Sequence, residues 1–432
     1  MRFACMRLLS AALVLVVVAG CGGGSGNGGS GGGGGGNPPT TVTFTFRGPA
    51  PTAVAAKIGS GAFTAQTVTS SHLTMTVPSG TTTFAVAYVC PQFSAGLGSS
   101  TTSYQFVVEA STADGTSFTP TACPHLISAD PSGTLTGNVD ASALAGVSTI
   151  FVDAENGDAY VEKAVPQGNF SISAPAGTNR VEVLAYENIQ INFNGGLSLV
   201  AARDFSSQPV PGQLNGGNPV VLGAADATTP QPITYNGVPS GFASPITFVL
   251  ADMGAGEFLV STGATNQYPA LPAAAMETGD FYHFSAISQA LSNGQVVAAE
   301  MTTKGGNAVT LTFPAPWPYA GPTAAALPSF NFDYTGFAGK TGVFQSAFVI
   351  WPTGNLVQSW YQVSSTANYQ NGSTAMTIPN LSALAGFLPP PASGTKVVWA
   401  AEISQSNATV FQPIKVDTTT SVVENLGVYT VP

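Results

Sequence analysis

Few residues in this 432-residue chain are of types that do chemistry, and their spacing closes most of the options. Three histidines, His72, His125 and His283, stand more than 50 residues apart, so nothing supplies the paired imidazoles of a zinc site. Gly339-Lys340-Thr341 ends like a phosphate-binding P-loop, but Tyr334 stands where that loop needs its first glycine, and the run reads as a turn. Ser30, in Gly28-Gly29-Ser30-Gly31-Gly32, has the spacing of a hydrolase nucleophile elbow, yet it lies in a glycine tract without the required strand and helix. Asp153-Ala154-Glu155-Asn156-Gly157-Asp158 has the oxygen density of a calcium loop but no glutamate at its twelfth position. Two carboxylates across a cleft would suffice for glycoside hydrolysis. A hydrolase with dispersed carboxylates is therefore the third-ranked reading. No catalytic residue, metal or cofactor is implied.

Thiols and aromatic rings are more informative. Cys90 and Cys123 are each followed by proline, lack the C-x-x-C spacing, and are expected to form a disulfide in an oxidising compartment. Closing that loop is worth roughly 3–4 kcal/mol on the chain-entropy argument. All four tryptophans lie in the second half of the chain. Trp351, Trp360, Tyr268 and Phe387 are the candidate ligand-binding residues there, because exposed aromatic rings can stack on the apolar faces of sugars. The competing expectation is that at least two of the four tryptophans are buried in the core.

Arg2 and Arg7, an apolar run from Leu8 to Val18, and small residues before Cys21 make residues 1–20 a leader too short to span a bilayer as a mature helix. Val18-Ala19-Gly20-Cys21 resembles the lipobox of bacterial lipoproteins. That resemblance implies cleavage before Cys21, lipidation of its sulfur and of the new amino terminus, and a membrane partner through this anchor. Gly22 stands where that family often places an inner-membrane retention aspartate, so the resemblance implies the outer membrane, with the protein periplasmic or surface-exposed. Residues 21–41 are then a tether, because a glycine run buries too little surface to offset its backbone entropy. Its random-coil reach is roughly 25 Å.

Charged residues make up 7% of the chain, while Thr, Ser, Gly, Ala, Val and Phe abound, which favours exported β structure. Without the two leader arginines, 9 basic residues face 21 acidic ones, a formal charge of −12. Such a surface offers nucleic acid no electrostatic attraction.

The elements that position these residues repeat. An apolar pair recurs as Val54-Ala55, Phe151-Val152, Phe248-Val249 and Phe348-Val349, at intervals of 97, 97 and 100 residues. An alternating run ending in proline recurs as Leu73 to Pro78, Phe170 to Pro175 and Thr374 to Pro379, the pattern of a half-buried strand. A third run recurs as Val86 to Cys90, Val183 to Glu187, Val296 to Glu300 and Val398 to Glu402, with the glutamates expected to accept backbone hydrogen bonds. First and third markers lie 36 residues apart in the first two repeats, then 52 and 54, so the chain reads as two short modules followed by two long ones. The fold expected is all-β, with β-sandwich modules at 42–130, 131–229, 230–327 and 328–432. Pro78-Ser79-Gly80-Thr81 and Pro175-Ala176-Gly177-Thr178 resemble turns of immunoglobulin-like and transthyretin-like sandwiches.

The function expected is that of a lipid-anchored, non-enzymatic cell-envelope protein acting in adhesion, surface display or envelope assembly, with a glycan or a surface protein as partner. The alternative is a carbohydrate-binding lipoprotein whose site lies in the long connections Thr262 to Gly279 and Asn380 to Thr395.

Overall fold

The computed structural model describes residues 38–94, 101–124, 133–154, 163–164, 167–187, 197–253, 257–292, 294–337, 342–354, 357–407, 411 and 416–432. The leader, Cys21, Ser30, His125, Asp130-Pro131, Glu155 to Asp158 and Gly339 to Thr341 lie outside them. The described residues form an all-β protein.

Its strands fall into four successive groups. Unit one holds β1 (Thr40–Thr45), β2 (Ala53–Ile58), β3 (Thr64–Ala65), β4 (His72–Val77), β5 (Thr83–Val89), β6 (Phe93–Ser94), β7 (Thr101–Ser111) and β8 (Ser117–Phe118). Unit two holds β9 (Gly133–Asp140), β10 (Thr149–Ala154), β11 (Lys163–Ala164), β12 (Gln167–Ala174), β13 (Gly177–Glu187), β14 (Ser198–Val210), β15 (Gly212–Gln213) and β16 (Val220–Val221). Unit three holds β17 (Thr229–Asn236), β18 (Ile246–Asp252), β19 (Glu257–Gly263), β20 (Gln267–Ala270), β21 (Phe281–Gln289), β22 (Val296–Thr303) and β23 (Val309–Thr312). Unit four holds β24 (Ser329–Asn331), β25 (Val343–Gly354), β26 (Val357–Thr366), β27 (Ala375–Thr377), β28 (Lys396–Ser406) and β29 (Thr419–Thr430).

Each unit keeps one small sheet to itself: β4-β1-β8, β12-β9 with β15 and β16, β20-β17-β23, and β24-β27. The remaining strands of all four units join in one 17-stranded sheet. Its order, followed pair by pair, is β3-β2-β5-β7, then β26-β25-β28-β29, then β22-β21-β18-β19, then β14-β13-β10-β11, with β6 on the end of β7. Units one and two, consecutive in sequence, therefore sit at opposite ends of this sheet. Unit four pairs with unit one through the parallel seam β7–β26, and with unit three through β22–β29. A chain this poor in charge has few residues with which to block an exposed strand edge, and here the edges are paired instead.

Apolar alternation decides which side of the large sheet each small sheet covers. In unit one, Val86, Tyr88 and Val108 point to the small sheet's Val42, Phe44 and Phe118, while Ala85, Ala87 and Val107 point into the main core. Unit two does the same, with Val181 and Val183 on one side and Leu184 and Tyr186 on the other. The small sheets of units three and four belong to that main core, so they lie on the opposite side from those of units one and two.

The long connections of units three and four complete the layering. Gln267 to Ala275 packs against β14 of unit two. The Asn380 to Thr395 connection packs on unit one, where the Leu388 N–H donates to Gln105 Oε1 at 2.8 Å. Gly386, at φ 86°, approaches Ala53 so closely that a Cβ there would lie 2.9 Å from the alanine methyl. These stretches, where ligand binding was expected, cover neighbouring units.

One marker is corrected by the topology. In units one, two and four the first-marker strand pairs with the third-marker strand, as β2–β5, β10–β13 and β25–β28. In unit three β18 pairs with β21, and Val296 to Glu300 lies one strand further out, on β22. Successive apolar strands carry similar patterns, so spacing alone did not separate them.

Candidate functional site

Cys90 and Cys123 are joined by a disulfide, with an S–S distance of 2.06 Å and Cα atoms 5.4 Å apart. The bridge ties the end of β5 to the segment after β8, and so the large sheet to the small sheet of unit one.

The aromatic candidates are placed in packing roles. Trp351, Tyr268 and Phe387 are buried, as are Trp317 and Trp399. The Tyr268 hydroxyl donates to the Asn307 carbonyl at 2.9 Å, and its ring meets Phe284 edge-on at 4.8 Å. Trp360 is half-buried on β26, stacked on Phe348 of β25 at 4.6 Å and flanked by Tyr104 of β7 at 5.9 Å. It helps close the seam between units one and four, and the structure does not gather the four candidates at one place.

The glutamates of the third marker also separate. Glu187 lies beside the turn at Gly146, and a Cβ added there would be 3.1 Å from its Oε2. Glu300 accepts from Ser285 Oγ at 3.3 Å, and Glu402 accepts from Ser404 Oγ, so both take side-chain donors and not the expected backbone groups.

Two ionisable clusters emerge, and of their glutamates spacing had picked out Glu300 and Glu402 alone. The first is the seam between units two and three, where the backbone pairing is a single pair, Ser198–Ser261. Side chains carry this seam. Arg180, 5% exposed, donates to both oxygens of Asp280 at 2.9 and 2.8 Å, to Asp204 Oδ1 at 2.7 Å and to the Met253 carbonyl. Tyr186 donates across the same seam to the Leu259 carbonyl at 2.8 Å. Glu182 stands between Asp153 and Asp204 on adjacent strands, with no hydrogen-bond partner for either carboxyl oxygen. Burial, then the charge of Asp153, raise its pKa to about 9, against the opposing pull of Arg180.

The sign of the consequence follows. The folded state keeps a proton on Glu182 that the unfolded state releases above pH ~4.5, so stability is lost as pH rises from there to about 9. Glu182→Gln is expected to stabilise the protein at pH 7, on the order of 2 kcal/mol, and to change little at pH 4. Denaturant titration at both pH values checks this; equal gains at both would show that charge is not the cause.

The second cluster lies on the middle of the large sheet, on the side away from the small sheets of units three and four. Cross-strand register puts Ser285, Glu300, Glu424, Glu402, Ser346 and Ser364 on this one face. Its apolar cluster, Ile287, Val296 and Ala298 with Phe248, Val422 and Leu426, comes from large-sheet strands alone. Glu402 and Glu424 are directly opposed and are 5% and 4% exposed. Burial, offset by the Ser404 bond and reinforced by Glu300, lifts Glu402 to about 7. Burial and then Glu402 hold Glu424 well above the carboxylate range. At the far end, burial works to lower the His283 pKa, but Glu257 at 3.6 Å and Glu300 at 3.9 Å outweigh it and raise it to about 10.

The available signal for both clusters was charge inside a strand. Arg180 and Glu182 sit two residues apart in one largely apolar run, and Glu402 and Glu424 each interrupt a separate one, in a chain with 7% charged residues. Among the described residues no group of three or more His, Cys, Asp or Glu side chains could hold a metal ion. Compared with known proteins, the chain matches no protein-family model and no curated protein sequence.

Proposed function

We propose that this is a lipid-anchored, non-enzymatic protein of the bacterial cell envelope, held at the outer membrane through Cys21 and serving in adhesion, surface display or envelope assembly. The observation that supports this reading best is the joining of four units through one sheet. Separate modules would articulate as beads, whereas paired strands bind the units into one body, as a display scaffold requires. The immunoglobulin-like or transthyretin-like identity of the units belongs to the same proposal.

Fractionation of producing cells tests the anchor. The native chain is expected in the membrane fraction, labelled by radioactive palmitate, and Cys21→Ser is expected soluble and unlabelled. A Cys21→Ser protein still in the membrane fraction would overturn the anchor. Protease treatment of intact cells then separates display on the surface from assembly in the periplasm.

A further inference from the structure

The Glu402–Glu424 pair is half of a longer feature. Val398 and Val428 are directly opposed on the same two strands and the same face, four residues from Glu402 and Glu424 respectively. They are 42% and 63% exposed, among the most exposed large apolar residues described, while the carboxyls at the other end are 5% and 4% exposed. Ala400 and Leu426 form the opposed pair between them. The strip therefore runs from an open apolar rim to a shielded acidic end, over about 13 Å at ~3.3 Å per residue.

Its acidic end is incomplete. Buried polar atoms are nearly always partnered, yet Glu424 Oε1 has no hydrogen-bond partner. Among the described residues the charged group that bears on it is a second carboxyl, Glu402, whose own bond is to Ser404. Two opposed carboxyls without a counter-charge, at the end of an apolar strip, are complementary to an ammonium group carried on an apolar body.

We propose that this strip binds a primary amine with a straight apolar body about as long as a decyl chain, its ammonium group donating to Glu424 and Glu402 and its chain lying along Leu426, Val428 and Val398. Binding displaces the proton the pair otherwise holds, so affinity rises with pH. Glu300 is the third carboxyl on this face, already bonded to Ser285 and 3.9 Å from His283, which pairs with Glu257 as well. The site is independent of the display reading: it stands or falls on binding, and the anchor on fractionation.

Isothermal titration of the full chain, carrying Cys21→Ser to dispense with detergent, uses decylamine at pH 8, with decan-1-ol and decanoate as length-matched controls. Expected are saturable binding of decylamine at one site, at least tenfold tighter than decan-1-ol, no binding of decanoate, and weakening at pH 5. Glu424→Gln is expected to lose tenfold or more while remaining folded by circular dichroism, and Val428→Ser to lose less. Absence of saturable heat, equal affinity for decan-1-ol, or indifference to Glu424→Gln in the folded variant overturns the site and leaves the pair as a protonated structural contact. The comparison of decylamine with decan-1-ol on the parent chain decides the matter even where a variant misfolds.

Discussion

Replacing Arg180 with alanine is expected to cost about 3–5 kcal/mol at neutral pH and to open the junction between units two and three before the rest of the protein unfolds. The guanidinium is the hub of that junction, with Asp204 at 2.7 Å, Glu182 at 3.4 Å and Asp280 at 2.8 Å around it. Removing it strands buried carboxylates with one another, and breaking a buried ion pair costs far more than the pair contributes over an apolar substitute. Arg203 supplies the contrast. It pairs with Asp226 within unit two, its side chain is 34% exposed, and Arg203→Ala is expected to cost no more than about 1 kcal/mol. Guanidinium denaturation of the two variants measures the difference, and hydrogen exchange in β19 locates it. A loss at Arg180 no larger than at Arg203 would mean that the seam is held by packing alone.

Ending the chain after Ser406 is expected to abolish soluble, monomeric protein. That truncation deletes β29, which pairs on one side with β28 and on the other with β22, so two interior strands become edges at once. It also removes Val423 from the core, and Asn425, whose side chain donates to the Trp317 carbonyl at 2.9 Å and accepts from Gln295 at 3.1 Å. Unpaired edges in a chain with so few charges recruit other chains. Soluble yield and size-exclusion chromatography read the result, and a synthetic peptide of residues 418–432 is expected to restore part of the monomer. A truncated chain that stays monomeric with unchanged thermal stability would show that units three and four hold together without this strand.

Several features were legible because they are local. First-marker pairs fell on β2, β10, β18 and β25, one in each unit, because an apolar pair entering a strand is specified by neighbours in sequence. The proline-ended runs fell on β4, β12 and β27, each paired to its unit's opening strand. The partnership of Cys90 and Cys123 was expected by elimination, on the reading that assigns Cys5 to a leader and Cys21 to a lipid anchor, and the two are bridged.

Ligand candidates were not legible in the same way. An aromatic residue in a long connection looks the same in sequence whether it meets solvent or a neighbouring unit. Tyr268 is buried because its connection forms β20 and turns the ring onto Tyr282 and Phe284 of its own unit, Phe387 lies in a connection that packs on unit one, and Trp360 is flanked because β7 of a distant unit lies beside it. The pairing of unit one with unit four depends on contacts more than 250 residues apart, such as Gln358 to Thr102 at 3.0 Å and Thr366 to Asp114 at 2.6 Å, and that of unit two with unit three on contacts as far apart as Arg180 and Asp280.

By itself, then, the sequence determined an all-β chain of repeated strand pairs, because strand alternation, turn glycines and apolar periodicity are set within a few residues. Tertiary structure alone decided that the repeats share one sheet, that Arg180 closes a seam, and that Glu402 meets Glu424. An exposed strand edge accepts any strand of compatible twist and face, so the choice of partner is made by whole surfaces and leaves no mark at a fixed spacing.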